Sequence, residues 1–182
     1  MSKKYLRIGI CLLLTVLAGL MLHSYRVGTA PDITFRMIDG RQIAMKDLRG
    51  HPVLVTFWAT SCAVCLKEMP HLISLYNELS GKGFEIVGVA MAYDPPNQVL
   101  ELTRLRHVPY AIALDIDGAI EHAFDDVTQT PTSFLISPDG KIITHTVGAM
   151  DMEKLRVQIL DLLQQSQVTS NKLPGTDNDT GA

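Results

Sequence analysis

The sequence predicts an α/β domain in which helices cover both faces of a β-sheet. Between about residues 33 and 165, apolar runs typical of strands alternate with amphipathic stretches typical of helices. Residues 53–59 are almost all apolar, β-branched or aromatic, which indicates a central strand buried on both faces. The chain has 182 residues, enough for one such domain with terminal extensions.

The remaining elements follow in chain order. Residues 33–38, the Asp39-Gly40 turn and residues 42–45 predict a β-hairpin ahead of the central strand. After that strand comes an amphipathic helix, and Glu68 lies outside its predicted apolar stripe of Leu66, Met69, Leu72, Ile73, Tyr76 and Leu79. Further along we predict a strand at 84–91, a helix from Pro95-Pro96 to about 106, a strand at 111–114, a short helix at 118–124, a hairpin of 132–137 with 141–147, and a closing helix at 151–165.

The N-terminus has the pattern of a membrane-targeting segment. Lys3, Lys4 and Arg7 precede residues 8–22, a run of fifteen without a charge. We expect residues 5–22 to span the cell membrane once, with the following domain on the extracytoplasmic (periplasmic) side because the basic flank stays inside. Cleavage of the segment as a signal peptide after Ala30 is the alternative, and it gives the same location.

Composition divides the chain further and excludes some function classes. We predict a signal-anchor and linker at 1–29, the domain at 30–165, and a disordered tail at 166–182 that is rich in small polar residues. The net charge of −3 and the aromatic content of 6% give no reason to expect a nucleic-acid surface. Three cysteines cannot form a disulfide framework, and Cys11 falls in the apolar run.

The other two cysteines, Cys62 and Cys65, form a C-x-x-C motif directly after the central strand. On the first turn of a helix they would share one face, about 5–6 Å apart at Cα, which suits a disulfide. The helix N-terminus favours an anion, so we expect Cys62 to attack as a thiolate and Cys65 to resolve the mixed disulfide. A zinc site is the alternative, but no second C-x-x-C and no H-x₃₋₅-H pair accompanies the motif.

Residues 57–70 (FWATSCAVCLKEMP) resemble the active-site segment of the TlpA/ResA-like thioredoxin-fold disulfide reductases, in which F-W-A-x-W-C-x-x-C-x-x-E-x-P is common. Ala30-Pro31-Asp32 and residues 130–136 extend the resemblance to about residues 30–165. It implies a thioredoxin fold with an N-terminal β-hairpin and a central insertion near 96–116. It also implies a cis peptide before Pro131, substrate contacts from Trp58 and Thr130, and a Glu68 that either tunes the cysteines or caps the helix.

The resemblance further implies a membrane-anchored disulfide reductase without a cofactor or metal, which we expect to be a monomer. Such a protein passes electrons from a membrane thiol donor to disulfides of other extracytoplasmic proteins, for example apocytochromes c. Three positions depart from the family pattern. Ser61 stands for the usual Trp, Val64 for the usual Pro, and Thr56 for the buried Asp of thioredoxin.

Two other functions remain open at this stage. A copper-handling protein would need two cysteines and a distant histidine, such as His122 or His145, as soft ligands. A thiol peroxidase would carry a P-x-x-x-[ST]-x-x-C motif, whereas Thr60 is only two residues before Cys62.

Overall fold

The structure is a computed structural model that describes residues 28–171, with side chains described as far as residue 166. Its elements alternate much as the apolar pattern predicts. The strands are β1 (Thr34–Arg36), β2 (Gln42–Ala44), β3 (Val53–Trp58), β4 (Glu85–Ala90), β5 (Ala111–Leu114), β6 (Thr132–Ile136) and β7 (Ile142–Val147). The α-helices are α1 (Ala63–Leu79), α2 (Pro96–Leu105), α3 (Ala119–Ala123) and α4 (Met152–Asn171), and short 3₁₀ turns lie at Met45–Leu48 and Ser80–Lys82.

Five strands form the main sheet, in the order β5-β4-β3-β6-β7. β3 pairs parallel with β4 and antiparallel with β6, and β5 and β7 form the edges. β1 and β2 pair antiparallel in a separate two-stranded sheet. All six residues of β3 are buried, as expected of a central strand with neighbours on both sides and helices on both faces.

Side chains alternate along β3 between two apolar cores. Leu54 and Trp58 face the core that α1 and α4 cover, together with Met69 and Ile159. Val53, Val55 and Phe57 face the opposite core, which includes Phe35 of β1, Phe124 after α3 and Phe134 of β6. Because the C-x-x-C motif follows β3 directly, the central strand of the sheet fixes its position.

The structure describes part of the predicted C-terminal tail and none of the predicted N-terminal anchor. Helix α4 runs to Asn171, so residues 166–171 of the predicted tail are helical instead. The sequence holds no helix-breaking residue between 165 and Pro174, so nothing stops the helix at the predicted point. The predicted anchor at 5–22 and the rest of the predicted tail lie outside the described residues. Within residues 28–171, no helix has the length and apolar character needed to cross a membrane.

Candidate active site

The chain between β3 and α1 forms a tight turn that carries the first cysteine. The backbone N–H of Cys62 donates to the carbonyl of Ala59 at 3.1 Å, and Met91 N–H, after β4, donates to Trp58 C=O at 3.1 Å. Cys62 is the N-cap of α1, and its sulfur accepts a hydrogen bond from the Cys65 N–H at 3.1 Å. The helix therefore begins at the redox motif, as its position after a strand predicts.

Cys62 and Cys65 are joined by a disulfide with their Cα atoms 5.3 Å apart. Cys65 is buried, with 4% of its surface exposed, whereas Cys62 is only partly buried. The first turn of α1 contains no acidic residue, so the helix dipole can stabilise a Cys62 thiolate without opposition from its own turn. This exposure pattern agrees with attack by Cys62 and resolution by Cys65.

The exchange reaction that this geometry allows is a pair of sulfur substitutions. The Cys62 thiolate attacks a substrate disulfide, forms a mixed disulfide and releases one substrate thiolate. The Cys65 thiolate then attacks Cys62 Sγ, forms the Cys62–Cys65 disulfide and releases the second substrate thiolate. Two electrons pass from the protein dithiol to the substrate.

The Thr130–Pro131 peptide bond is cis, as the resemblance implies. Pro131 is buried, and its carbonyl accepts a hydrogen bond from Gly148 N–H at 2.8 Å, which ties the turn before β6 to the end of β7. Thr130 is half-buried, and its contact with substrate stays a prediction.

Glu68 lies three residues after Cys65 on α1, and only 6% of its surface is exposed. The prediction that Glu68 lies outside the buried stripe of the helix is therefore wrong. Its Oε1 accepts a hydrogen bond from the Met150 N–H at 2.7 Å and so joins α1 to the loop before α4. Burial raises the pKa of Glu68, while the Met150 hydrogen bond and the charge of His71 act in the opposite direction. The cap of α1 is Cys62, which removes the capping role considered for Glu68.

Trp58 is a core residue, which contradicts its predicted contact with substrate. Its side chain is 4% exposed and faces the core between β3 and α1. Its indole Nε1 has no hydrogen-bond partner among the described residues. Position explains the difference, because Trp58 is still part of β3, whereas the surface around the disulfide begins at the turn after it.

Comparison with known proteins agrees with this geometry. Residues 28–145 match the model of the AhpC/TSA family. The chain is 32% identical over 162 residues to the thiol-disulfide oxidoreductase ResA of Bacillus subtilis, covering 82% of this chain and 89% of that protein. It is 34% identical over 126 residues to ResA of Bacillus thuringiensis, covering 69% and 72%.

The chain belongs to the AhpC/TSA family, among its ResA-like thiol–disulfide oxidoreductases. The crystal structure of StoA from Bacillus subtilis aligns with a TM-score of 0.61 at 25% identity, over 70% of this chain and 96% of that one. A thiol:disulfide interchange protein from Chlorobium tepidum aligns with a TM-score of 0.68 over 74% and 95%, and at 24% identity it supports the fold alone. The thioredoxin fold and the enzyme class predicted from the sequence are confirmed.

In this ResA-like oxidoreductase, Thr56 belongs to a buried hydroxyl pair. Its Oγ1 lies 2.8 Å from Ser133 Oγ across the β3–β6 pairing, and both residues are almost fully buried. Thr56 therefore stands where thioredoxin has a buried carboxylate, and it shares one hydrogen bond with Ser133 in which either hydroxyl can be the donor. In the sequence, Thr56 has only the features of a β-branched strand residue, because its partner lies 77 residues away.

One residue that contacts the active-site turn was also missed. The carboxylate of Asp94, in the loop after β4, accepts hydrogen bonds from the backbone and the hydroxyl of Thr60. A carboxylate just beyond a strand that neighbours β3 was the available signal, because the carboxyl ends of parallel strands lie at one edge of a sheet.

Within residues 28–171, the placement of the potential ligands does not favour the copper-handling alternative. No group of three or more His, Cys, Asp or Glu side chains within residues 28–171 could hold a metal ion. The two histidines considered as ligands have other contacts. His145 stacks on Phe134 with ring centroids 4.3 Å apart, and His122 pairs with Asp126.

Proposed function

We propose that this oxidoreductase is an extracytoplasmic reductase that takes electrons from a membrane thiol donor and passes them to disulfides of other envelope proteins, for example apocytochromes c awaiting haem. The observation that carries the proposal is the partly exposed Cys62 at the start of α1 with Cys65 buried behind it. This arrangement lets a protein disulfide reach the attacking sulfur while the resolving sulfur stays protected.

The electrostatics around Cys65 support the direction of electron flow. Glu68 lies one helical turn from Cys65. When the Glu68 carboxylate is ionised, its negative charge disfavours ionisation of the Cys65 thiol to a thiolate. Proteins that stabilise their thiolate strongly are oxidants, because the reduced form is then favoured. A carboxylate behind the pair acts the other way, so we expect a potential nearer the about −270 mV of thioredoxin than the about −120 mV of DsbA.

The N-terminal sequence supports the location. Residues 5–22, with the basic flank of Lys3, Lys4 and Arg7, have the composition of a membrane anchor whose following domain is translocated. In intact cells, a membrane-impermeant thiol reagent added after a reductant should label Cys62. Labelling that appears only after lysis would place the domain in the cytoplasm and contradict this part of the proposal.

The first test of the reaction is reduction of insulin disulfides by the full chain with a dithiol as electron source. We expect activity in the wild type and loss of it in Cys62→Ser, because the attacking sulfur is gone. Cys11→Ser is the matched control and should retain wild-type activity, since Cys11 lies far from the motif in the sequence. Equal rates in the wild type and Cys62→Ser would refute catalysis by this pair.

The second test identifies the substrates. Cys65→Ser cannot resolve the mixed disulfide, so it should accumulate substrates covalently bound to Cys62. We expect the trapped proteins to come from the envelope and to include c-type apocytochromes. A set made up of cytoplasmic proteins alone would contradict the proposed location and partners.

A further inference from the structure

The turn that carries Cys62 is held from the side by one buried carboxylate. Asp94 Oδ2 accepts a hydrogen bond from Thr60 N–H at 2.6 Å, and Asp94 Oδ1 accepts one from Thr60 Oγ1 at 2.5 Å. Thr60 stands two residues before Cys62, in the turn closed by the Cys62–Ala59 hydrogen bond. Both oxygens of Asp94 are therefore used to hold the segment that leads to the attacking sulfur.

Asp94 itself is held rigidly. Its N–H donates to the carbonyl of Met91 at 2.9 Å, and Pro95 and Pro96 follow it with restricted backbone angles. Only 6% of Asp94 is exposed. Among the described residues it forms no ion pair with a lysine, arginine or histidine, so a buried negative charge lies beside the turn without a countercharge in contact.

We propose that Asp94 is a positioning residue for thiol–disulfide exchange, which fixes the Cys62 turn through Thr60 and keeps a negative charge beside it that disfavours the Cys62 thiolate. The inference rests on the exchange chemistry of the family and not on the proposed direction, location or substrates. Asp94 therefore has two separable effects. Its hydrogen bonds to Thr60 hold the Cys62 turn in place, which we call the anchor, and its negative charge disfavours the Cys62 thiolate, which we call the charge effect.

Other charged groups face the Cys62 turn from the elements packed around it. Glu101 of α2 lines an open cavity of about 330 Å³ together with Thr60 and Ser61, but Glu101 is exposed and water screens its charge. On α1, Lys67 is exposed and Glu68 is buried on the side of Cys65. Asp94 is thus the buried charge in direct contact with the turn, and its removal should have the largest effect on Cys62.

The charge effect is tested with Asp94→Asn, which keeps the size of the side chain and can still bond Thr60 through its amide oxygen. The readout is the pH dependence of alkylation of the reduced full chain by iodoacetamide, followed at Cys62. We expect the midpoint to move down by about 0.5–1 pH unit, which means a roughly three- to tenfold larger thiolate fraction below the midpoint. The reduction potential should rise with it.

Two controls show whether the effect is specific to Asp94. Asp115→Asn changes another buried carboxylate at the same edge of the sheet, which accepts from the N–H groups of Ile120 and Glu121. It should lower the melting temperature and leave the alkylation midpoint in place. Glu101→Gln should shift the midpoint less than Asp94→Asn. A midpoint in Asp94→Asn that equals the wild-type value, or equals that of Asp115→Asn, would overturn the charge effect.

The anchoring effect is tested with Asp94→Ala, which removes the acceptors as well as the charge. Its kcat/KM for insulin reduction should fall about tenfold below that of Asp94→Asn, because the turn no longer holds Cys62 in one position. Equal values in the two variants would overturn the anchor. Thr60→Val provides a second route if Asp94→Ala does not fold. It should slow the reaction while leaving the alkylation midpoint near that of the wild type, and an unchanged rate would count against the anchor.

These outcomes are distinguishable from failure of the proposed function. A wild-type chain that exchanges thiols but oxidises its partners, or acts in another compartment, would refute the reductase proposal. The alkylation profile of Asp94→Asn would still decide the role of Asp94, because it needs neither a substrate nor a direction of electron flow.

Discussion

The buried hydroxyl pair of Thr56 and Ser133 allows a quantitative test of how the strand beneath the active site is stabilised. The two oxygens lie 2.8 Å apart and both residues are shielded from water, with 3% and 2% of their surfaces exposed. Ser133→Ala removes one partner and leaves the Thr56 hydroxyl buried without the other. Thr56→Val does the reverse and keeps nearly the same side-chain shape.

The size of the effect follows from the burial. A net hydrogen bond contributes about 1 kcal/mol, and a buried polar group left unpaired costs about 1–3 kcal/mol. Each single variant should therefore lose about 2 kcal/mol of unfolding free energy. The double variant, which replaces both hydroxyls with apolar groups, should lose less than the sum, so the coupling energy should be about 2 kcal/mol.

Urea unfolding of the oxidised protein measures these energies. Trp58 is the single tryptophan and is buried near the end of the same strand, so its fluorescence reports the transition. Thr146→Val, a half-buried hydroxyl on β7, is the control and should change the unfolding free energy by less than about 0.5 kcal/mol. Additive losses in the double variant would refute the reasoning, because they would mean that the two hydroxyls do not depend on each other.

Two further substitutions test the packing and charge around the site. Because burial raises the pKa of Glu68 above 4.5, the unfolding free energy should begin to fall as the pH rises past 4.5 and level off above the folded-state pKa. Glu68→Gln, which can still accept a hydrogen bond from Met150 N–H, should remove this pH dependence of the unfolding free energy in urea titrations across pH 4–8. The same pH dependence in the variant and the wild type would contradict the assignment to Glu68. Gly88→Ala would place a Cβ 2.9 Å from Ile112 Cδ1 and 3.3 Å from Trp58 Nε1. This overpacking should lower the unfolding free energy by about 1–3 kcal/mol in the same urea experiment. An unchanged unfolding free energy would show that the neighbours of β4 can move apart.

The parts of the fold that depend on local pattern were predictable from the sequence. The apolar run of β3 and the helical periodicity after it predicted that the motif lies at a strand–helix junction, as the structure shows. The roles predicted for Cys62 and Cys65 follow from that position. The predicted ends of β5 agree with the structure at both residues, 111 and 114. These predictions rest on neighbours in the chain, which the sequence lists directly.

The residues that were missed are placed by contacts far apart in the chain. Glu68 is buried because the loop at Met150, 82 residues away, brings its N–H to the carboxylate. A spacing of three and four residues through Cys65, Glu68, Leu72 and Leu75 would have put Glu68 on the buried face, but the polarity of a glutamate argued against it. Trp58 was assigned to the substrate surface by resemblance, although its place within β3 favoured the core.

In the two proposals above, the carboxylates of Glu68 and Asp94 act against the dipole of α1. The N-terminus of a helix stabilises an anion by about 0.3–2 kcal/mol, and a buried carboxylate nearby can cancel a stabilisation of that size. Glu68 and Asp94 share no hydrogen-bond partner, since one bonds Met150 and the other Thr60. Their effects on the reduction potential should therefore add, and the double variant Glu68→Gln with Asp94→Asn should be more oxidising than either single variant.

Each 1.4 kcal/mol of differential stabilisation of the dithiol form corresponds to a change of about 30 mV in the reduction potential, which equilibration with glutathione resolves. A double variant with the potential of the wild type would mean that the helix N-terminus alone sets the redox balance of the pair.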